Sequence, residues 1–141
     1  MLQFATFRLG GYLFGIEVVK VQEVLRYQRM TAVPLAPPEV AGLINLRGQI
    51  VTALDLRRRL DMPDRDDATL PMNVVVRTQE GSLALLVDEI GDVMEVGDET
   101  FEPPPETLRG PAHDLIRGSH KLDDRLLLVL DTERVVALTG A

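Results

Sequence analysis

The sequence has 141 residues, enough for one domain or two very small ones with a hydrophobic core. Its net charge of -7 argues against a general nucleic-acid binder, and the absence of cysteine excludes disulfides and cysteine-based metal sites or nucleophiles. The apolar runs are too short to span a bilayer, and residues 1–4 lack the pattern of a signal peptide. We therefore expect a cytoplasmic protein that does not insert into a membrane.

Four β-hairpins are predicted in chain order. The first joins strands 4–9 and 12–16 through Gly10-Gly11, because glycine supplies the positive φ angles of a two-residue turn. The other three comprise strands 43–46 and 49–56 around Arg47-Gly48, strands 72–78 and 82–88 around residues 79–81, and strands 115–122 and 125–131 around Asp123-Asp124. The β-branched run 74–76 favours a strand because valine is stiff at χ1.

Helical patterns are few and short. Val18, Val21 and Leu25 recur at spacings of three and four, which predicts an amphipathic helix over residues 17–26. A second helix is predicted over residues 132–138 with Thr132 as its N-cap, and residues 56–60 predict a single turn. Residues 62–71, rich in proline and aspartate, are the predicted linker.

The two halves of the chain, 1–66 and 67–138, present similar parts in the same order. Leu46-Arg47-Gly48 resembles Ile116-Arg117-Gly118, and each tripeptide leads into a strand that closes on Leu-Asp. Chance similarity between short hairpins is the alternative to duplication. Each half predicts an all-β unit of about five strands closed as a small barrel, with strand exchange between the units allowed. Two barrels side by side would leave a groove for partners.

A catalytic or metal site is not predicted. Ser82 and Ser119 are the only serines, and His113 and His120, the only histidines, lack a metal-ligand spacing. Ser119 and His120 are adjacent on a predicted strand, so their side chains point to opposite faces. The sequence therefore predicts a binding protein without a cofactor, a metal or an enzymatic activity.

Two stretches, 14–24 (FGIEVVKVQEV) and 40–51 (VAGLINLRGQIV), resemble the CheW family of chemotaxis adaptors. The Asn-Leu-Arg-Gly turn within the second stretch is the most characteristic part, and weaker matches follow at residues 86–88, 118 and 127–131. The resemblance implies one domain, 1–138, built from two five-stranded barrels. It also implies a non-catalytic adaptor, monomeric in isolation, that joins the cytoplasmic tips of methyl-accepting chemoreceptors to the regulatory domain of a CheA-type histidine kinase in membrane-associated arrays.

The same resemblance assigns receptor or kinase binding to Val21, Glu23, Gly42, Leu43, Ile44, Asn45, Arg47, Gly48 and Phe101. Arg47 offers a fork of donors suited to a carboxylate or a carbonyl, although it could instead hold an acid of its own loop. Val21 could belong to the core and Glu23 could face solvent. Residues 101–108 resemble a second kinase-facing loop with Phe101 as an anchor. The chain departs from the family at Glu89, where glycine is common.

The sequence is also compatible with two other functions. A related adaptor could serve surface motility or second-messenger control. The sequence does not distinguish this function from chemotaxis, because the choice of partner depends on pairs of contacting surface residues and only one side of each pair is in this chain. A small-ligand-binding barrel is the third reading. The polarity of its pocket would distinguish it, since a ligand site needs a few converging polar groups.

Overall fold

A computed structural model describes residues 2–66, 68–106 and 110–137. Within these ranges the chain forms strands, three short α-helices and two 3-10 turns. The strands are β1 Leu2–Leu9, β2 Tyr12–Glu17, β3 Val21–Leu25, β4 Val40–Leu46, β5 Gln49–Asp55, β6 Met72–Thr78, β7 Gly81–Val87, β8 Glu89–Val96, β9 Phe101–Glu102, β10 Ile116–Lys121 and β11 Leu126–Leu130. The helices are α1 Leu56–Arg59, α2 Pro111–Leu115 and α3 Thr132–Val136, and the 3-10 turns are Val18–Lys20 and Asp98–Thr100.

All four predicted hairpins are confirmed. They are the antiparallel pairs β1–β2, β4–β5, β6–β7 and β10–β11. In the first turn, Gly10 and Gly11 have φ angles of 58° and 86°, as a two-residue hairpin turn requires. Strands β8 and β9 and helix α2 were not predicted.

The predicted helix over residues 17–26 is wrong. A 3-10 turn at Val18–Lys20 leads directly into strand β3, which pairs antiparallel with β6. Val18, Val19, Val21 and Val24 are β-branched, which favours a strand, although the segment lacks strict alternation of apolar and polar residues. The neighbouring β6 offers a ladder of backbone hydrogen bonds, and tertiary pairing decides between two weak local preferences.

The two short helices after β5 and β11 were predicted correctly in place. Helix α1 lies within the predicted turn over residues 56–60. Helix α3 lies within the predicted helix over residues 132–138, of which Leu138 lies outside the described residues. Thr132 is not the N-cap, however. Asp131 takes that position, and its carboxylate accepts a hydrogen bond from the Arg134 N–H at 3.2 Å. Aspartate satisfies a free helix N–H in the same way as threonine.

The strands form two sheets whose orders correspond. The first sheet has the order β8-β1-β2-β11-β10-β9, and the second has the order β3-β6-β7-β5-β4. Each sheet includes one hairpin from the other half of the chain. Hairpin β1–β2 lies between β8 and β11 in the first sheet, whose other strands all come from the second half, and hairpin β6–β7 lies between β3 and β5 in the second sheet, whose other strands all come from the first half. Parallel pairing of β2 with β11 and of β7 with β5 joins these exchanged hairpins. Both sheets therefore contain strands of both halves. The division into units 1–66 and 67–138 stays a prediction, and Asp67 lies outside the described residues.

Several strands are buried on both faces. On β6, Val74 and Val76 belong to a large cluster shared by the two sheets, whereas Val75 packs inside the second sheet. On β11, Leu128 packs in the shared cluster and Leu127 inside the first sheet. Double burial explains the continuous apolar runs of these strands. The buried side chains of the shared cluster also fill the space between the two sheets, where the sequence predicted a groove for partners.

The all-β class and the two packed β units are confirmed, but the sheets are open and do not close as barrels. The opening lies between β3 and β4 in the second sheet and between β8 and β9 in the first. Residues 26–39 connect β3 to β4 across the opening of the second sheet and contain three prolines, which have no N–H to donate. Thr31 makes an isolated bridge there, exchanging two backbone hydrogen bonds of 2.8 Å with Leu43. A single bridge partly covers the edge without closing the sheet.

Candidate protein-binding surface

The Asn45–Gly48 turn presents an arginine at a left-handed backbone position. Arg47 has a φ of 52° and Gly48 a φ of 89°, which are the angles of a primed hairpin turn. The Asn45 side-chain oxygen accepts a hydrogen bond from the Gly48 N–H at 2.8 Å. Positive φ is strained for a residue with a Cβ, so the flanking strands and the asparagine bond must hold Arg47 in this conformation.

Arg47 is paired with Glu23, so two predicted site residues meet. The Arg47 Nη2 donates to the Glu23 Oε2, although Glu23 lies on β3 and Arg47 lies beyond β4, at the opposite edge of the sheet order. The curl of the sheet brings these edges within side-chain reach. The Arg47 guanidinium holds the pKa of Glu23 below its usual range, and Glu23 in turn raises the pKa of Arg47.

This pair belongs to a polar network on the second sheet. Gln22 donates from Nε2 to Glu23 Oε2 at 3.3 Å and accepts from the Ser82 hydroxyl at 2.7 Å. The Arg47 side chain is 69% exposed while that of Glu23 is 21% exposed. Most of the guanidinium donors therefore face solvent, oriented by a carboxylate that is itself held in place.

The other predicted residues of β3 and β4 lie mostly below the surface. Ile44 is buried inside the second sheet, so it does not face a partner. Val21 is half-buried against the shared core cluster, and Leu43 is half-buried beside Thr31. A Cβ at Gly42 would lie 2.8 Å from the Thr31 carbonyl oxygen, so glycine permits the close approach of that segment. These residues shape the surface that carries Arg47 rather than contribute to its exposed area.

Phe101 lies on β9, which pairs with β10. Its side chain is 48% exposed, and its ring packs edge-on against the buried His120 at a centroid distance of 5.3 Å. A Cβ at Gly118 would lie 2.5 Å from the Glu102 carbonyl oxygen, so β9 depends on a glycine in its neighbour. Phe101 is thus an exposed ring on a fixed base, as an anchor requires. Residues 107–109 of the predicted loop lie outside the described residues.

His120 lies beneath the Phe101 ring and is 1% exposed. The Thr100 hydroxyl donates to the Gly97 carbonyl at 3.0 Å and shares a hydrogen bond of 2.8 Å with His120 Nδ1. The Nε2 atom is buried and has no hydrogen-bond partner among the described residues. Burial lowers the pKa of His120, and the nearby Asp98 and Glu99 oppose this effect only in part. The histidine is therefore a neutral structural side chain.

An apolar patch at the beginning of β1 was not predicted. Its exposed members are Val19 at 77% and Leu2 at 40%. Leu2 and Val19 line a shallow recess together with acidic Glu17 and Glu95. Val19 lay in the segment read as a helix, where it fell outside the apolar stripe. An apolar residue outside the stripe of the predicted helix is the sequence signal that could have identified Val19 as exposed.

Glu89, the departure from the family pattern, is exposed and begins β8 opposite Arg8 of β1. In the described ranges, no three or more histidine, aspartate or glutamate side chains group closely enough to hold a metal ion. Of the helices in the same ranges, none has the length and hydropathy to cross a membrane.

Comparison with known proteins decides the family. Residues 3–139 match the model of the CheW-like domain. The chain belongs to the CheW-like domain family. Chemotaxis protein CheW of Treponema pallidum is 29% identical over 137 residues, which cover 94% of this chain and 81% of that protein. The probable chemotaxis protein CheW of Rhizobium etli is 30% identical over 133 residues, covering 94% and 86%.

The crystal structure of the scaffolding protein TtCheW from Thermoanaerobacter tengcongensis superimposes with a TM-score of 0.88. It is 25% identical and covers 99% of this chain and 95% of that chain. Membership of the CheW-like family confirms the resemblance stated from residues 14–24 and 40–51. The assignment of binding roles to single residues stays a prediction.

Proposed function

We propose that this chain is a non-catalytic scaffold of a chemosensory system, which couples methyl-accepting chemoreceptors to the regulatory domain of a CheA-type histidine kinase. The observation that carries the proposal is the Asn45–Gly48 turn of a CheW-like domain, with Arg47 exposed and oriented by Glu23. A scaffold needs fixed surface donors and apolar anchors rather than a reaction centre.

Two separated surfaces support contact with two partners. One contains the Arg47–Glu23 pair on the second sheet, and the other contains Phe101 on the first sheet. Arginine and aromatic residues are enriched at the centres of protein interfaces. In this proposal the Arg47 surface serves receptor or kinase contact, and Phe101 serves the kinase. The scaffold is recruited from the cytoplasm to receptor arrays at the membrane.

The test is isothermal titration of this chain with the isolated regulatory domain of a CheA-type kinase from the same organism. We expect saturable one-to-one binding in the micromolar to submicromolar range, about -8 kcal/mol or stronger. Phe101→Ser should weaken binding, whereas Leu70→Ser, which removes a still more exposed apolar side chain from the linker, should not. Absence of heat and of complex at tens of micromolar, roughly tenfold above the weakest affinity expected, would contradict kinase coupling.

A further inference from the structure

The first sheet carries a concave recess at the end where the β1–β2 turn lies. Its volume is about 300 Å³, and its walls come from β1, the β1–β2 turn, β2, β11 and the proline segment after β9. The apolar lining residues are Tyr12, Leu13, Pro105, Leu126 and Leu128. This volume lies at the lower end of the range of small-molecule pockets, which are mostly apolar with a few polar groups.

The charges at this recess have one sign. Among the described residues, its charged lining side chains are Arg8 and Arg125, and no carboxylate lines it. Two arginines line the same apolar recess, although the chain has a net charge of -7. The recess therefore selects for an anion by charge and for an apolar body by its walls.

Both arginines are available to a ligand. Arg8 is exposed and has no ion-pair partner within residues 2–66, 68–106 and 110–137. Arg125 pairs at 3.3 Å with its chain neighbour Asp124, whose side chain is 72% exposed. An exposed pair of this kind is weak, so Arg125 can exchange it for a ligand carboxylate at little cost. A guanidinium binds a carboxylate through two parallel hydrogen bonds.

The fold explains why the recess has apolar walls. Leu128 reaches the shared core cluster and Leu13 the interior of the first sheet, so the recess exposes the margins of both cores. Tyr12 and Leu126 remain 54% and 37% exposed above them. Apolar side chains left open at a concave site gain from covering by a ligand.

We infer that this recess binds a small amphiphilic carboxylate, with the anionic head between Arg8 and Arg125 and the apolar tail against Leu13, Leu126 and Leu128. The site lies on neither the Arg47 turn nor the exposed ring of Phe101. It adds a small-molecule input to the proposed scaffold and does not depend on kinase binding.

The test is a methyl-NMR titration of the full chain with decanoate up to about 5 mM, the range expected for a ligand with few atoms. We expect saturable shifts centred on the methyl groups of Leu13, Leu126 and Leu128. Decan-1-ol and decyltrimethylammonium, which keep the tail and change the head, should bind at least about tenfold more weakly, because they lack the carboxylate that pairs with arginine.

Matched variants locate the charge requirement. Arg8→Gln with Arg125→Gln should weaken decanoate binding at least about tenfold, whereas Arg29→Gln, at another exposed arginine, should leave it unchanged. The comparison of ligand heads needs no variant and so tests the site even if a variant folds poorly. Absence of saturation, equal binding of decan-1-ol, or shifts confined to Leu2, Val19 and Val93 would overturn the proposal.

Discussion

Arg57 binds Asp88 through two parallel hydrogen bonds, from Nε to Oδ1 at 3.0 Å and from Nη2 to Oδ2 at 2.6 Å. The same carboxylate accepts from Arg65 Nε at 2.9 Å and from the Gly10 N–H at 3.0 Å. Arg57 lies on α1, Arg65 lies in the linker, and Gly10 lies in the β1–β2 turn. One half-buried carboxylate thus ties the exchanged hairpin of the first sheet to the second sheet.

Asp88→Asn should lower the free energy of unfolding by about 1–3 kcal/mol, because it leaves two arginines without their common carboxylate. Chemical denaturation measures this change. Asp64→Asn removes a carboxylate that is 64% exposed and pairs with Arg58, so it should cost at most about 1 kcal/mol. Equal effects of the two substitutions would contradict the role of Asp88 as a junction.

The pH dependence of the Asp88 contribution follows from its pKa. Burial acts to raise the pKa of Asp88, but hydrogen bonds from Arg57, Gly10 and Arg65 outweigh it and hold the pKa at about 2. A lowered carboxylate pKa gives stability above the ordinary value of 3.8, which is lost as pH falls from there to about 2. Acid unfolding of Asp88→Asn should therefore be shallower than that of the unmodified chain in this window. Parallel curves would show that other carboxylates dominate.

His120 should act in a higher pH window and in the same direction. Because the folded chain lowers the pKa of this histidine, the unfolded chain binds the proton more readily below the ordinary value of 6.5. Stability should therefore decline as pH falls below that value. Urea unfolding between neutral pH and pH about 5 measures the slope. His120→Phe should flatten it, and an unchanged slope in this variant would contradict the prediction.

The left-handed conformation of Arg47 predicts which substitutions its turn tolerates. Arg47→Asn should be nearly neutral for stability, because asparagine tolerates positive φ. Arg47→Val should cost about 1–2 kcal/mol, because a β-branched side chain is strained there. Thermal unfolding compares the two. Since both variants remove the guanidinium, both should weaken partner binding by about 1–3 kcal/mol. Unchanged binding of Arg47→Asn would show that Arg47 serves only to hold Glu23.

Gly118→Ala should detach β9 from β10, because the added Cβ meets the Glu102 carbonyl and the Phe101 ring. We expect a loss of about 1–3 kcal/mol of stability, typical of overpacking a fixed site. The readout is hydrogen exchange of the β10 amides that face β9. Gly11→Ala is a control for the added methyl, since nothing lies near its Cβ, although its φ of 86° adds strain. Unchanged exchange in Gly118→Ala would show that β9 can move aside without loss.

The hairpins were predictable because their signals are local. Gly10-Gly11 and Arg47-Gly48 fix two-residue turns, and the valines of β6 favour a pleated strand. The helix over residues 17–26 was predicted wrongly because its evidence was also local. Strand β3 exists because β6 lies beside it, and β6 follows about fifty residues later in the chain. The spacing of three and four between Val18, Val21 and Leu25 favours a helix less than pairing with β6 favours a strand. The order of residues along the chain does not show that β6 lies beside this segment.

The candidate site shows the same division. The turn sequence indicated that Arg47 is exposed. Its pairing with Glu23, however, joins the two edge strands of the second sheet, β4 and β3. That contact depends on sheet curl, which no short motif encodes. Ile44 was assigned to a surface because it lies in the motif, but it belongs to the face of β4 that is buried together with Leu46, and the motif alone does not show which face is buried. The recess at Arg8 and Arg125 joins residues from both ends of the chain.

The reciprocal exchange of hairpins affects how the protein is made. Strands β1 and β2 leave the ribosome long before β11, the parallel neighbour of β2. During synthesis the apolar side chains of this hairpin have no completed sheet to enter, so folding of the first sheet must wait until β11 has been made. A chain shortened before Leu126 would retain every residue of the Asn45–Gly48 turn and still lack the strand that lets the first sheet form.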